Sequence, residues 1–199
     1  MIEKLKENIK DYLPKFLSSS SNEELFSCLK EFPSNIDSRF YSDFVFKTKN
    51  TGIQGDGMED FLFFDWQHNQ TKKSIAMILS NSCDISFDNN RYDTPFILYC
   101  PIISLAKYIE MLKTKGKKTS EIEYSIKKQE ITSMFYLPKG QGLSEDKIAM
   151  LDRIQSCPNN EETRLNAKKI FTLSNYGFYL FLLKLSIHFT RIRDGIDRK

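Results

Sequence analysis

Two unbroken apolar runs, residues 75–79 (IAMIL) and 96–100 (FILYC), constrain this chain more than any other feature. Short apolar runs bounded by turn residues are the signature of strands buried on both faces. The segment between them is polar. It opens with Ser80, Asn81, Ser82, Cys83 and Asp84 and passes through Asp88, Asn89, Asn90 and Asp93 to Pro95. Ser, Asn and Asp side chains bond nearby backbone groups and so build turns. Pro95 stands where a strand begins, so its missing N–H does least harm. The pattern predicts strand, polar turn, strand. A polar cluster at the end of a buried strand is also a common way to build a site, so both readings stand: a corner of the chain and a functional site.

The flanking sequence predicts helices outside a sheet. Residues 1–17 carry Ile2, Leu5, Ile9, Tyr12, Leu13 and Phe16 at helical spacing, and residues 23–32 carry Leu25, Phe26 and Leu29. Pro14 and Pro33 end or kink these segments. Strands are predicted at 44–46, 61–66, 134–137, 147–155 and 169–173. Helices are predicted at about 104–112, capped by Ser104, and at 120–130. Ser174 caps a last helix that runs to about Arg193 and is apolar all round from Tyr176 to Leu183, so both of its sides need cover.

With 199 residues the chain suits one domain. The parts are a helical extension over 1–33, a barrel with inserted helices over 44–173 and a C-terminal helix over 174–194. Sixteen Phe and nine Tyr make the expected core aromatic, and a net charge of +3 is too small to argue for nucleic acid. Cys28, Cys83, Cys100 and Cys157 form no C-x-x-C pair, which points to reduced, mostly buried thiols of a cytoplasmic protein. With only His68 and His188 to help them, no metal site is expected. No cofactor motif is present: the Gly-Asp-Gly at 55–57 lacks the length, the Lys and the following helix of a phosphate loop. The N-terminus alternates charge without an apolar core, and no run reaches the roughly 20 apolar residues of a membrane span.

The patterns ILSNSCDI and FILYCPIIS resemble those of a group of uncharacterised bacterial proteins with a Ser-x-x-Cys-Asp strand end followed by a second strand ending near Pro. This resemblance covers residues 53–105; more distantly the pattern is similar to the PemK/MazF-like toxins, small SH3-like β-barrels, many of which cleave RNA. The resemblance implies an α+β fold: an SH3-like, mainly antiparallel barrel with helices from both termini packed outside. It also implies that Gln54, Gly55 and Asp56 sit close to the Cys83-Asp84 turn, and a toxin–antitoxin or phage-defence setting. Two departures bear on activity. Ile103 stands where the toxins have Thr after Pro-Ile, and Lys72, Lys73 and Ser74 stand where they carry Arg, whose bidentate fork lysine lacks.

Two function classes follow. The first is a non-enzymatic binding module that uses Gln54, Asp56, Ser80, Asn81 and Asp84 to hold a protein or RNA. The second is an RNA endonuclease of altered site, with catalytic candidates Lys73, Ser80, Cys83 and Asp84. A reactive thiol needs a neighbouring cation or His, and Cys83 has neither in sequence, so a buried structural role is expected for it. A nuclease requires a basic groove at this end, whereas a protein-binding module requires an exposed apolar patch. A homodimer through the C-terminal helix is a further expectation.

Overall fold

In the computed structural model, residues 75–78 and 96–104 lie in neighbouring antiparallel strands. The structure describes residues 23, 27–28, 31–48, 52–66, 68–86, 88, 93–160 and 167–190. Most of the predicted N-terminal helices, and Arg191, Arg193, Arg198 and Lys199, lie outside them. The described chain is α+β. Its strands are β1 (Gly57–Asp65), β2 (Gln70–Ile78), β3 (Phe96–Ser104), β4 (Met134–Leu137), β5 (Lys147–Met150), β6 (Gln155–Pro158) and β7 (Lys169–Phe171). Its helices are α1 (Asp43–Thr48), α2 (Leu105–Thr114), α3 (Ser120–Lys127) and α4 (Asn175–Thr190). All pairings are antiparallel, in the order β4-β5-β3-β2-β1-β7, with β6 beside β3 in line with β5. The sheet is not closed, since β4 and β7 end that order without pairing each other.

The unbroken apolar runs follow from burial of the central strands on both faces. Side chains alternate across a strand. Met77 and its partner Cys100 join one core, while Ala76, Ile78 and Tyr99 join another. The first core is the larger and more aromatic. There Tyr176, Leu180 and Phe181 of α4 pack with Phe40, Phe135 and Phe171. Burying each such ring is worth about 1.5–3 kcal/mol. The second core adds Met58, Phe61 and Phe63 of β1. Met58 and Phe61 share a face because a bulge lies between them: Met58 pairs with Ala76 and Phe61 with Ser74. Asp60 takes the left-handed conformation (φ 65°) there. A third cluster joins α2 and α3 to β4 and β5 through Leu105, Ile109, Ile126, Tyr136 and Ile148.

Glutamine amides cover open backbone in three places. Gln155 accepts the Phe64 N–H and donates to the Phe64 carbonyl, both at 2.9 Å, on the edge of β1 away from β2, where the pairing with β7 covers only Gly57 and Met58. Gln129 does the same for Tyr136 on the outer edge of β4, at 3.0 and 2.8 Å. Gln141 accepts the Thr172 N–H at 2.7 Å beyond β7. The loop carrying Gln141 presses on β7 so closely that a Cβ at Gly142 would lie 2.3 Å from the Ile170 carbonyl oxygen. Tyr99 adds a bond from its hydroxyl to the Leu62 carbonyl at 2.6 Å, so β1 is tied back across the second core.

Two sequence expectations are corrected. Residues 44–46 are helical, within α1, because Ser42 caps the segment: its Oγ accepts the Val45 N–H at 3.2 Å. The expected strand 147–155 is two strands. Ala149 pairs with Ile102 and Gln155 with Tyr99, and the extra chain between turns through an Arg153 N–H to Met150 carbonyl bond. Leu151 in that turn is buried in the first core.

Candidate functional site

The turn after β2 is built by its own side chains. Ser80 Oγ accepts the Leu98 N–H at 2.7 Å, and the Leu98 carbonyl accepts the Leu79 N–H at 2.8 Å. Ser80 therefore stands in for a strand partner where β2 leaves β3. Asn81 Oδ1 accepts the Cys83 N–H at 2.9 Å, and the Asn81 carbonyl accepts the Asp84 N–H at 3.0 Å. Ser82 Oγ accepts the Gln54 N–H at 2.9 Å, while Gln54 Nε2 donates to the Leu79 carbonyl at 2.8 Å. Gln54, Ser80, Asn81 and Asp84 thus share one end of the sheet, with Asn81 and Asp84 exposed.

Asp56 is next to this group in sequence but lies inside the protein. It is wholly buried, 3.2 Å from Lys169 Nζ, and its Oδ2 accepts the Ile53 N–H at 3.0 Å. Burial pushes its carboxyl above the usual carboxylate range, against the pull of the Lys169 ammonium. Asp56 Oδ1 has no hydrogen-bond partner by geometry. This geometry ties the start of β1 to β7.

Of the catalytic candidates, Ser80, Cys83 and Asp84 lie in this turn and Lys73 does not. Lys73 pairs with Leu62 toward the hairpin end of β2. Ser80 lies seven residues further along, past the end of β2 at Ile78, at most about 23 Å away at ~3.3 Å per residue. Lys72 is there too, bonded to Asp65 at 3.0 Å, and so is His68, 3.0 Å from the same carboxylate. Cys83 is exposed, which corrects the expectation of a buried thiol: the Asn81 turn lifts its backbone off the sheet. Cys100 is the fully buried thiol, and burial raises its pKa. His68 sits at the β1–β2 hairpin beside Asp65, and His188 lies in the last turn of α4. Among the described residues no group of His, Cys, Asp and Glu is placed to hold a metal ion.

Two residues that the sequence reading assigned to a buried strand line the surface beside this turn. Phe96 is 56% exposed and Leu98 is 46% exposed. They share a face of β3, and Leu98 is the residue whose backbone Ser80 holds. Nothing in the apolar run itself marks them: β3 reaches beyond Ile78, the last residue of β2, and leaves these two without its cover. The neighbouring stretch 81–95 contains Asp84, Asp88 and Asp93 against one basic residue, Arg91.

A cleft of about 780 Å³ lies elsewhere, between α2, α3 and the loop after β4, lined in part by Glu110, Glu123, Glu145 and Asp146. Three of these carboxylates are engaged, Glu123 by Lys127 Nζ at 2.9 Å. Glu145 accepts from Ser104 Oγ and Lys147 Nζ, each at 2.9 Å, which lowers its pKa, and Asp146 accepts the Lys139 N–H at 2.9 Å. None of the sequence-predicted residues lines it. Among the described residues no helix is long and apolar enough to cross a membrane. No protein-family model matches the chain, and no curated protein matches it.

Proposed function

We propose that this chain is a non-enzymatic, cytoplasmic binding module that holds a protein partner at the 80–84 end of its sheet. One observation carries the reading: Phe96 and Leu98 stand exposed beside the turn. An exposed apolar patch with a polar rim is what a protein interface requires. The opposite class needs basic charge where phosphates would lie. Here the sequence that follows the turn, residues 81–95, is acidic, and Lys72 and Lys73 sit at the other end of β2.

The finer fold reading is a partly open SH3-like barrel around the second core. The return of β1 toward β6 through Gln155 and Tyr99 supports it. The toxin–antitoxin or phage-defence setting rests on the resemblance of the 53–105 stretch alone. The homodimer through α4 is supported by the helix's apolar composition, and light-scattering mass over a concentration series tests it.

The module is tested by inducing expression of the wild type, Asp84→Ala and Lys73→Ala, and following growth and total RNA together. Unimpaired growth with intact RNA in all three is the expected result. Toxicity with RNA fragmentation that both variants lose would replace the module with the endonuclease.

A further inference from the structure

We infer that the partner held at the 80–84 end is a second copy of this chain, which presents the tip of its β1–β2 hairpin, so that copies join head to tail. The inference rests on the binding reading above and names the partner.

The hairpin carries an apolar patch of its own. Trp66, the chain's single tryptophan, is 84% exposed, and Leu62 is 55% exposed. The Trp66 ring stands edge-on to the partly buried Phe64, with 4.7 Å between ring centroids. Tryptophan is enriched where proteins meet, because one ring buries much apolar area at little cost in side-chain freedom.

Strand register puts this patch and the Phe96–Leu98 patch on one face of the sheet. Leu62 and Phe64 pair with Lys73 and Thr71, and directly paired residues share a face. Along β2 that face continues through Ile75 to Met77. Met77 pairs with Cys100, and Leu98 and Phe96 follow on the same face of β3. Met77 and Cys100 lie in the first core with Tyr176, Leu180 and Phe181 of α4. The two patches therefore emerge on either side of that packed layer, toward opposite ends of β2. A helix is roughly 10 Å thick, so a mate laid across the face cannot reach both patches over it. One contact forms per pair of copies, each pair keeps two free ends, and association of this kind extends beyond two chains.

Charge sets which patch meets which. Residues 81–95 bear Asp84, Asp88 and Asp93 against Arg91. Residues 62–73 bear Lys72 and Lys73 against Asp65, and Lys73 stands directly across from Leu62. Like patches repel through their rims, whereas the hairpin against the 80–84 end joins opposite signs around an apolar contact. Each patch holds only two or three side chains, so the contact is weak and forms at high concentration.

The test follows the light-scattering mass of the full chain from about 10 μM to 1 mM, the range in which a weak contact populates. It compares the wild type, Trp66→Ala, Leu98→Asp and an equal mixture of the two variants. The wild type should rise past two chains, and less steeply as salt is raised. Each variant alone should stay monomeric. The mixture should reach two chains and stop, because the intact 80–84 end of Trp66→Ala meets the intact hairpin of Leu98→Asp. Both substituted side chains are exposed, and melting temperatures check that the variants fold. A photo-crosslinking residue at position 66 of the otherwise wild-type chain should join to residues 81–98 of another copy, recognised by mixing isotopically light and heavy chains. A wild type that stays monomeric would overturn self-association and leave the binding module with a foreign partner. Two chains in either variant alone would put the contact on another face, α4 among them, and overturn the inference, as would a monomeric mixture. A wild type that stops at two chains would overturn the head-to-tail arrangement. RNA fragmentation in the expression experiment would overturn the module itself.

Discussion

Two lysine ammonium groups among the described residues, those of Lys169 and Lys184, are held out of water, and they are held differently. Lys169 on β7 faces a carboxylate, Asp56, at 3.2 Å, with both side chains nearly or wholly buried. Lys184 on α4 is also buried but donates to an uncharged group, the Gln129 carbonyl, while Glu130 acts on it only through space. The first arrangement keeps opposite charges together and fastens β7 to the start of β1. The second gives a cation one dipole in exchange for its hydration, which is a poor trade for a full charge. Burial accordingly pushes the Lys184 amine down to about 7. One site is a structural clasp and the other takes up or releases a proton near neutrality.

The largest effect should come from titrating the lone cation. Its folded pKa lies below the ordinary lysine value, so between about pH 7 and 10 the unfolded chain binds more protons than the folded one. Stability contributed by this site therefore rises with pH across that window and is flat below it. The full span, from about 7 to the ordinary ~10.4, corresponds to on the order of 4–5 kcal/mol. Buried tyrosines and Cys100, whose pKa values are raised, act in the opposite direction at high pH. The measurement is thus the difference between wild type and Lys184→Met in urea unfolding from pH 6 to 10. The variant should be the more stable at pH 6, and its advantage should shrink as pH rises. A constant difference would mean that Lys184 keeps its charge and that the contrast with Lys169 is false.

The clasp is broken by Asp56→Ala. Removing one member of a buried ion pair leaves the other unpaired, at a cost of about 3–5 kcal/mol. Lys169→Met in the same chain should recover much of the loss, because two apolar side chains of similar volume need no hydration. A loss below about 1 kcal/mol in the single variant would show that Asp56 is dispensable to the fold. Its place among the ligand-binding candidates would then regain weight.

Between these charged sites stand the neutral glutamine contacts, which sharpen the comparison by removing charge from it. Gln155→Ala and Gln129→Ala each leave one backbone N–H and one carbonyl without a partner. The expected cost is about 1–3 kcal/mol apiece. Amide hydrogen exchange should speed up at Phe64 in the first variant and at Tyr136 in the second. Unchanged exchange at these amides would show that water replaces the glutamines without loss.

These contacts also mark where the sequence stops being legible. The central strands could be read because burial on two faces leaves unbroken apolar runs. Ser104 and Ser174 could be read as helix caps, and each accepts an N–H three residues on, from Lys107 and Gly177. Residues 134–137 form β4 as their apolar run before Pro138 suggested. The Phe-Val-Phe of α1 misled because alternating aromatics imitate a strand, while the Ser42 cap that decides the helix is a local contact. Asp56 between two glycines reads as a binding candidate near the 83–84 turn, and its partner Lys169 is distant in sequence. A glutamine that replaces a strand partner leaves no periodic trace at all. At the candidate site, the self-bonding of Ser80 and Asn81 was foreseeable from residue type. The exposure of Phe96 and Leu98 was not, because it depends on where a neighbouring strand ends.

The smallest effect on stability is expected where no burial is at stake, and it separates the surface from everything above. Leu98→Asp changes a side chain that is 46% exposed and whose backbone bonds to Ser80 and Leu79 do not involve the side chain. Surface substitutions of this kind usually shift stability by no more than about 0.5 kcal/mol. The same change places a negative charge in the middle of the proposed contact. A photo-crosslinking residue at position 98 should therefore capture a partner in cells, while the same residue at Tyr124, exposed on α3, should not capture that protein. Leu98→Asp in a chain crosslinked from position 96 should abolish the product without moving the melting temperature by more than a few degrees. If stability falls by several kcal/mol instead, Leu98 belongs to the core, and the apolar surface on which the binding reading stands does not exist.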